Sequence, residues 1–587
     1  MKNLKNYWKI ARTIYAGCSI FNISNMFVKK GTILFLAECR RIYILLVYVS
    51  MSSVVFAQTV KNMDANIVSK TGSYWVIKGG DITFSNTVVG ANTFDNLIVR
   101  SGASLNVDAQ SDITVNNSLN MEGALTLNGN AAGTAGILTH GTVSQGASVV
   151  TAELYLTGTK WHLSSSPLQG QSISNLITNA ANDFSIGGAS YGMMDYNESA
   201  NNWNSYFTSA TAGSLIPGKA YAVQRANDGL IYYTGSLPSA NVSVSSSQTG
   251  ESWNLVGNPY PTAIGVTQNA ATIDNFLAVN SNKLEPSYMA LYVWDEDDAY
   301  NGNRSDYKIL NNAGSGSLVQ DYLQIGQGFF VKTKTGTSTI GFTLNMRSIQ
   351  PEVGFKSAKL PWASIKLVAA GSDKSCSTLV TFNNQMTNGL DVTYDAGMFK
   401  ADSNFAVYTR LVEDNGVDFS IQCLPDDNYE NLVVSVGLDA PKGERISFTA
   451  DGSNLAANCL IILEDRKKGL YTNLHEPGRS YTVNLKEESK GIGRFYLHAS
   501  ELSIHRDNEQ LDLYQIITKR AMGWIEIIGQ VKEPTYVHIY NLNGRLVKTK
   551  QLEYSGVNKI DFRNARYGIY MIRIENNKQL INKKINW

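Results

Sequence analysis

Trp524-Ile525-Glu526-Ile527-Ile528-Gly529, Val537-His538-Ile539-Tyr540-Asn541-Leu542-Asn543-Gly544-Arg545-Leu546-Val547 and Tyr567-Gly568-Ile569-Tyr570-Met571-Ile572-Arg573-Ile574 follow one another at the C-terminal end of the chain. In each run apolar and polar residues alternate, which is the period of a half-buried strand. Asn543-Gly544 sits between two such runs. Both residues tolerate positive φ, so the pair signals a hairpin. The end of the chain therefore reads as a compact run of short strands.

The order of these runs, closed by Lys583-Lys584-Ile585, resembles the C-terminal sorting domain (type A) of proteins exported by type IX secretion. Gly544, Arg545, Gly568, Tyr570, Lys583 and Lys584 carry the resemblance, which covers residues 523–587. It departs from the family pattern in having no Pro-Asn-Pro entry. The resemblance implies a small β-sandwich read by an outer-membrane export machine. It also implies passage through the periplasm of a Gram-negative bacterium to a secreted or cell-surface location.

The other end agrees with export. Arg40-Arg41 precede an apolar run over residues 42–56, and Val55-Phe56-Ala57 is followed by Gln58. A basic flank, an apolar stretch and small residues at −3 and −1 describe a signal peptide cleaved after Ala57, so residues 1–57 read as a leader. The run is short for a membrane span of about 20 residues. The start is open between Met1 and Met26. Leu36-Ala37-Glu38-Cys39 does not make a lipoprotein site, because Glu38 stands where a small residue is needed.

The chain has 587 residues, enough for three or four domains. Its net charge of +1 provides no field for nucleic acid or an anionic membrane. Gly, Ser, Thr, Asn and Tyr are plentiful and charged residues are only 17 %, a balance that suits sheets joined by polar turns. Beyond the leader the cysteines are Cys376, Cys423 and Cys459, so at most one pair can close within the chain. No Cys or His spacing fits zinc.

Residues 58–156 hold short apolar-polar-apolar triplets: Ile82-Thr83-Phe84, Leu97-Ile98-Val99, Leu105-Asn106-Val107, Ile113-Thr114-Val115 and Leu125-Thr126-Leu127. Such rungs bury their apolar face only by stacking, which predicts a short parallel β-helix or roll. An irregular antiparallel sheet is the alternative.

Residues 157–350 repeat. Trp161-His162-Leu163-Ser164-Ser165-Ser166-Pro167 is echoed by Trp253-Asn254-Leu255-Val256-Gly257-Asn258-Pro259. Met194-Asp195-Tyr196-Asn197 is echoed by Trp294-Asp295 within 291–295, and Gly218-Lys219-Ala220-Tyr221-Ala222-Val223 by Gly326-Gln327-Gly328-Phe329-Phe330-Val331. Three stations in one order predict a duplicated β-domain. The string over 253–261 resembles a segment of large surface proteins of the same export class.

Two features of this region point to ligands. Tyr196, Trp203, Tyr206, Tyr292, Trp294 and Tyr300 offer aromatic faces for sugar stacking, with core or cross-strand packing as the alternative. Asp295, Asp297, Asp298, Asn301 and Asn303 offer oxygen ligands for Ca²⁺, with a solvated hairpin tip as the alternative. The cluster does not match the EF-hand pattern, because Ala299 interrupts it.

Residues 360–500 carry about eight strand-like runs and read as an Ig-like β-sandwich. The segment 463–498 resembles the sandwich that often precedes the sorting domain in these surface proteins. Glu464, Asp465 and Arg494 read as structural ion pairs, and residues 501–522 as a linker. The fold class is thus all-β throughout.

The chain has no His-Glu-x-x-His or phosphate-loop motif. The expectation is an exported adhesin-like or structural protein, not an enzyme, that takes an extracellular glycan or matrix ligand. The alternatives are a polysaccharide hydrolase or lyase with its site in 157–350, and a passive component of a surface layer.

Overall fold

A computed structural model describes residues 60–61, 68–71, 73–85, 92–294, 307–313, 321–349, 362–400, 404–426, 433–455, 459–475, 478–501, 514–529, 531, 534–553, 556–576 and 580–587. The leader, the acidic segment with Asp295, Asp297, Asp298, Asn301 and Asn303, and Tyr300 lie outside these residues.

The triplets after residue 73 stack in parallel. Ile82 registers with Leu105, Leu105 with Leu125, and Leu125 with Val150. On the second sheet Ile77 registers with Val99, and Val99 with Met121. Every residue of both columns is essentially inaccessible, in one apolar cluster. Parallel stacking puts like side chains above one another, so each rung buries the face it could not bury alone.

The two sequence copies that follow take the same topology. In the first, Trp161–Ser164 pairs with Tyr221–Gln224, which pairs on its other side with Met193–Met194. In the second, Trp253–Gly257 pairs with Gly328–Lys332, which pairs with Leu291–Trp294. The copies also exchange equivalent bonds. The Ser165 amide donates to the Gly326 carbonyl and the Gly257 amide to the Gly218 carbonyl, each at 2.9 Å. Residues 165 and 257, and 218 and 326, are counterparts, so the halves meet about a pseudo-two-fold axis. Close approach there demands glycine: a Cβ on Gly257 would lie 2.6 Å from Ser165 Cβ, and one on Gly328 the same distance from Ala220 Cβ.

Residues 363–501 form one continuous eleven-stranded sheet, where the sequence suggested two separate sheets. Its strands share a single apolar cluster, so the sheet curls over itself. Ser375–Phe382 and Phe419–Leu424 pair in parallel inside it. A second apolar cluster joins the other side of these strands, through Leu379, Ile421 and Cys423, to Trp253, Tyr292 and Phe330 of the duplicated unit. Cys376, Cys423 and Cys459 are all buried, and no disulfide joins them among the described residues.

Glu464 and Asp465 are buried on the strand Cys459–Asp465 and form ion pairs. Arg494 Nε and one terminal nitrogen donate to Asp465 at 3.1 and 2.8 Å. Glu464 accepts from the Tyr471 hydroxyl at 2.7 Å and pairs with His498 at 2.9 Å. Burial raises the Glu464 pKa, but the bonds from His498 and Tyr471 outweigh burial and hold it down at about 2. A depressed carboxylate stabilises the fold above its unfolded pKa and loses that contribution as pH falls. Acid unfolding followed from pH 5 to 2 should therefore cost the wild type about 3 kcal/mol through this group. Glu464→Gln should flatten that limb of the profile.

The terminal sandwich packs Leu546–Leu552, Thr535–Asn541, Ile569–Glu575 and Leu580–Asn586 against Tyr514–Lys519, Trp524–Gly529 and Gly556–Asp561. Residues 514–519, read from the sequence as part of a linker, are a strand paired with 524–529. The Tyr514 ring belongs to the shared core. The short alternation of Tyr514, Ile516 and Ile517 follows a polar run and gives little sequence signal by itself. At the hairpin, Gly544 has φ +72, and Asn541 Oδ1 accepts from the amides of Asn543 and Arg545. Gly568 and Trp587 exchange two backbone bonds of 2.8 Å. The Tyr570 hydroxyl donates to the Arg566 carbonyl at 2.7 Å. Arg545 and Lys584 are exposed and Lys583 is half-buried.

Candidate functional site

The groove at the pseudo-two-fold axis is built from strand pairs. Trp161 stands opposite Gln224 in the first copy, and Trp253 stands opposite Lys332 in the second. These four positions, with Ala222 and Phe330, are counterparts in the repeat, and Met194 and Trp294 lie on the matching neighbouring strands. They flank a cavity of about 720 Å³, lined by all of them except Gln224. The sheet of residues 363–501 supplies a third wall through Met398, Phe399, Lys400 and Asp418.

The rings hold one another edge to face, the arrangement favoured by the aromatic quadrupole. Tyr196 meets Trp203 at 5.6 Å and Phe330 at 4.9 Å, both near perpendicular. Trp294 meets Tyr307 at 5.3 Å, and Tyr307 meets Phe399 at 4.6 Å. Tyr206 stacks on Trp161 with centroids 6.1 Å apart. The Trp294 indole N–H donates to the Trp161 carbonyl at 2.9 Å, which fixes its ring plane. Trp161, Tyr196, Trp203 and Trp294 remain partly exposed. Rings held in this way present fixed faces to the cavity at little entropic cost on binding.

Polar groups sit among the rings. Asn201, Asn202 and Glu251 are exposed on the lining. The Tyr196 hydroxyl donates to Asn201 Oδ1 at 2.6 Å. Burial first, then Glu198 and Glu251, push the Tyr196 pKa up to about 12, so it remains a donor at neutral pH. Lys400 Nζ is held between Asp418 at 2.6 Å and Asp439 at 2.8 Å. Asp418 also takes Arg410 Nε at 2.6 Å. A second cavity of about 300 Å³ shares Leu163 and Trp294 with the first, so these side chains form the wall between them.

Of the aromatic set read from the sequence, Tyr196, Trp203 and Trp294 line the cavity, and Tyr206 backs Trp161. Tyr292 is corrected: it is fully buried and cannot stack on a ligand. It shares the Trp294 face of its strand, but residues 396–399 cover it and its hydroxyl donates to the Gly397 carbonyl at 2.6 Å. The ligand reading overlooked Trp161, Trp253, Phe330 and Lys332, although the repeat stations place the two tryptophans at matching positions. Among the described residues no group of three or more His, Cys, Asp or Glu side chains is arranged to hold a metal.

The fold and groove define an all-β protein: a stacked-rung coil, a duplicated unit with an aromatic cleft, a curled sheet and a terminal sandwich. The model of a family described as a domain of unknown function, DUF8693, matches residues 58–498, and the chain belongs to that family. Residues 522–586 match the secretion system C-terminal sorting domain. That match indicates type IX export to the cell surface or extracellular space. No curated protein matches the chain. A solved structure titled "Biofilm associated protein - BSP domain" is 9 % identical over 74 % of this chain and 92 % of its own. Its TM-score is 0.15.

Proposed function

We propose that the protein is an adhesin-like surface or secreted protein that holds a glycan in the aromatic groove. The observation that carries this reading is the set of partly exposed, mutually braced rings from both copies around one open cavity, with Asn201, Asn202 and Glu251 among them. Sugar rings have apolar faces and hydroxyl rims. A cleft with fixed aromatic faces and a few polar groups suits both. Binding without cleavage fits the carboxylates present. Asp418 is tied to Lys400 and Arg410, which leaves Glu251 as the unpaired acid among those described on the lining. Hydrolysis of a glycoside ordinarily takes two free carboxyl groups.

The test is a glycan array probed with the purified chain, with product release assayed on each hit. Retention without release is the expected result. Release abolished by Glu251→Gln would replace this reading with a hydrolase. Absence of any hit would leave a structural role in a surface layer.

A further inference from the structure

Lys332 sits at the end of the strand Gly328–Lys332 and lines the groove. Its ammonium lies 4.5 Å from the Tyr288 ring centroid and 5.4 Å from that of Trp253. No ion pair among the described residues includes it, in contrast to Lys400, which is neutralised by Asp418 and Asp439. The acids on the same lining are Glu251, which is exposed, and Asp418, which is already paired. The repeat sharpens the point. The counterpart of Lys332 in the first copy is Gln224, whose side-chain amide donates to the Thr159 carbonyl at 3.0 Å. One copy therefore presents a spent neutral amide where the other presents a cation held by aromatic faces. Rings attract an ammonium but supply no hydrogen-bond acceptor in the plane of a carboxylate, so its N–H donors remain available to an anion.

We infer that the groove selects an anionic glycan, a uronate or sulfated sugar whose acidic group is received by Lys332. The inference rests on the glycan reading above. A charge-assisted bond from Lys332 then adds to stacking on the adjacent rings.

The experiment compares the full chain binding polygalacturonate with binding the same polymer fully methyl-esterified, which removes the charge and keeps the sugar. Wild type should favour the acid form by about tenfold or more, the size of one charge-assisted hydrogen bond. Lys332→Met, which keeps the aliphatic stem on the rings, should erase that preference with an unchanged thermal unfolding curve. Lys332→Arg should retain it. Equal binding of both polymers by wild type, or a preference that survives Lys332→Met, would overturn the inference while leaving glycan binding standing. Binding only to neutral glycans such as xylan would overturn it in the same way. Failure to bind any glycan would instead bring down the reading beneath it.

Discussion

Removal of residues 522–587 is expected to abolish delivery of the chain to the cell surface or medium. The segment matches a secretion system sorting domain. Its apolar cluster draws only on residues from 514 onward, so it builds its core without the preceding sheet. Tyr471 of that sheet lies against it at Gly556, where a Cβ on the glycine would lie 3.0 Å from Tyr471. The deletion unpairs the strand Tyr514–Lys519, but the sheet of residues 363–501 keeps its own apolar cluster, so the remainder should stay folded. Immunoblots of cell and medium fractions check the first expectation, and thermal unfolding of the truncated protein checks the second. Normal export of the truncated chain would refute the sorting assignment. Failure of export with a collapsed unfolding transition would show a folding defect instead, and Gly544→Val then provides the gentler variant. That position has φ +72 with open space around it, so the strain falls on the exposed hairpin alone.

Glu198→Ala should be the most damaging single substitution near the groove. Glu198 is 7 % exposed and follows Tyr196 by two residues. Its carboxylate accepts from the amides of Thr249 at 3.0 Å, Gly250 at 2.9 Å and Ser252 at 2.7 Å. These bonds reach from the first copy to the loop that carries Glu251 and leads into Trp253. Burial raises the Glu198 pKa, but the bond with Ser247 and the backbone donors outweigh it and hold the group below the usual carboxylate range. Alanine would take the acceptor away from half-buried Ser252 as well as from the exposed Thr249 and Gly250, at a cost of about 2 kcal/mol. Because the depressed carboxylate contributes above about pH 4.5 and less as pH falls, the gap between variant and wild type should narrow in acid. Chemical denaturation at pH 7 and pH 3 measures both effects. Equal stability of the two proteins at pH 7 would show that the loop holds itself without Glu198.

The sequence was most legible where structure is local. The apolar-polar-apolar triplets announce stacked rungs because each must find a partner for the same face, and Ile82, Leu105, Leu125 and Val150 do form one buried column. Asn543-Gly544 announces its hairpin because few residues accept positive φ. The repeat stations announce the groove in part, since counterparts about a pseudo-two-fold axis come together there. Tertiary packing decided what the pattern could not. Tyr292 and Trp294 alternate identically along one strand, yet residues 396–399 bury the first and leave the second on the cavity. The wall formed by Phe399, Lys400 and Asp418 lies far along the chain and leaves no periodic trace. The continuous sheet of residues 363–501 was invisible for a related reason. Strand alternation reports burial on one face and says nothing of whether two layers are joined at an edge.

The most direct measurement is the affinity of the purified chain for its arrayed glycan, set beside that of Trp161→Ala combined with Trp203→Ala. Both rings are partly exposed on the cavity, so their removal takes away stacking faces without opening the core. The account predicts retention of glycan by wild type without product release. It also predicts loss of affinity by about tenfold or more in the double variant, with the unfolding transition preserved. Glycan bound equally well by the double variant, or by neither protein, would contradict it.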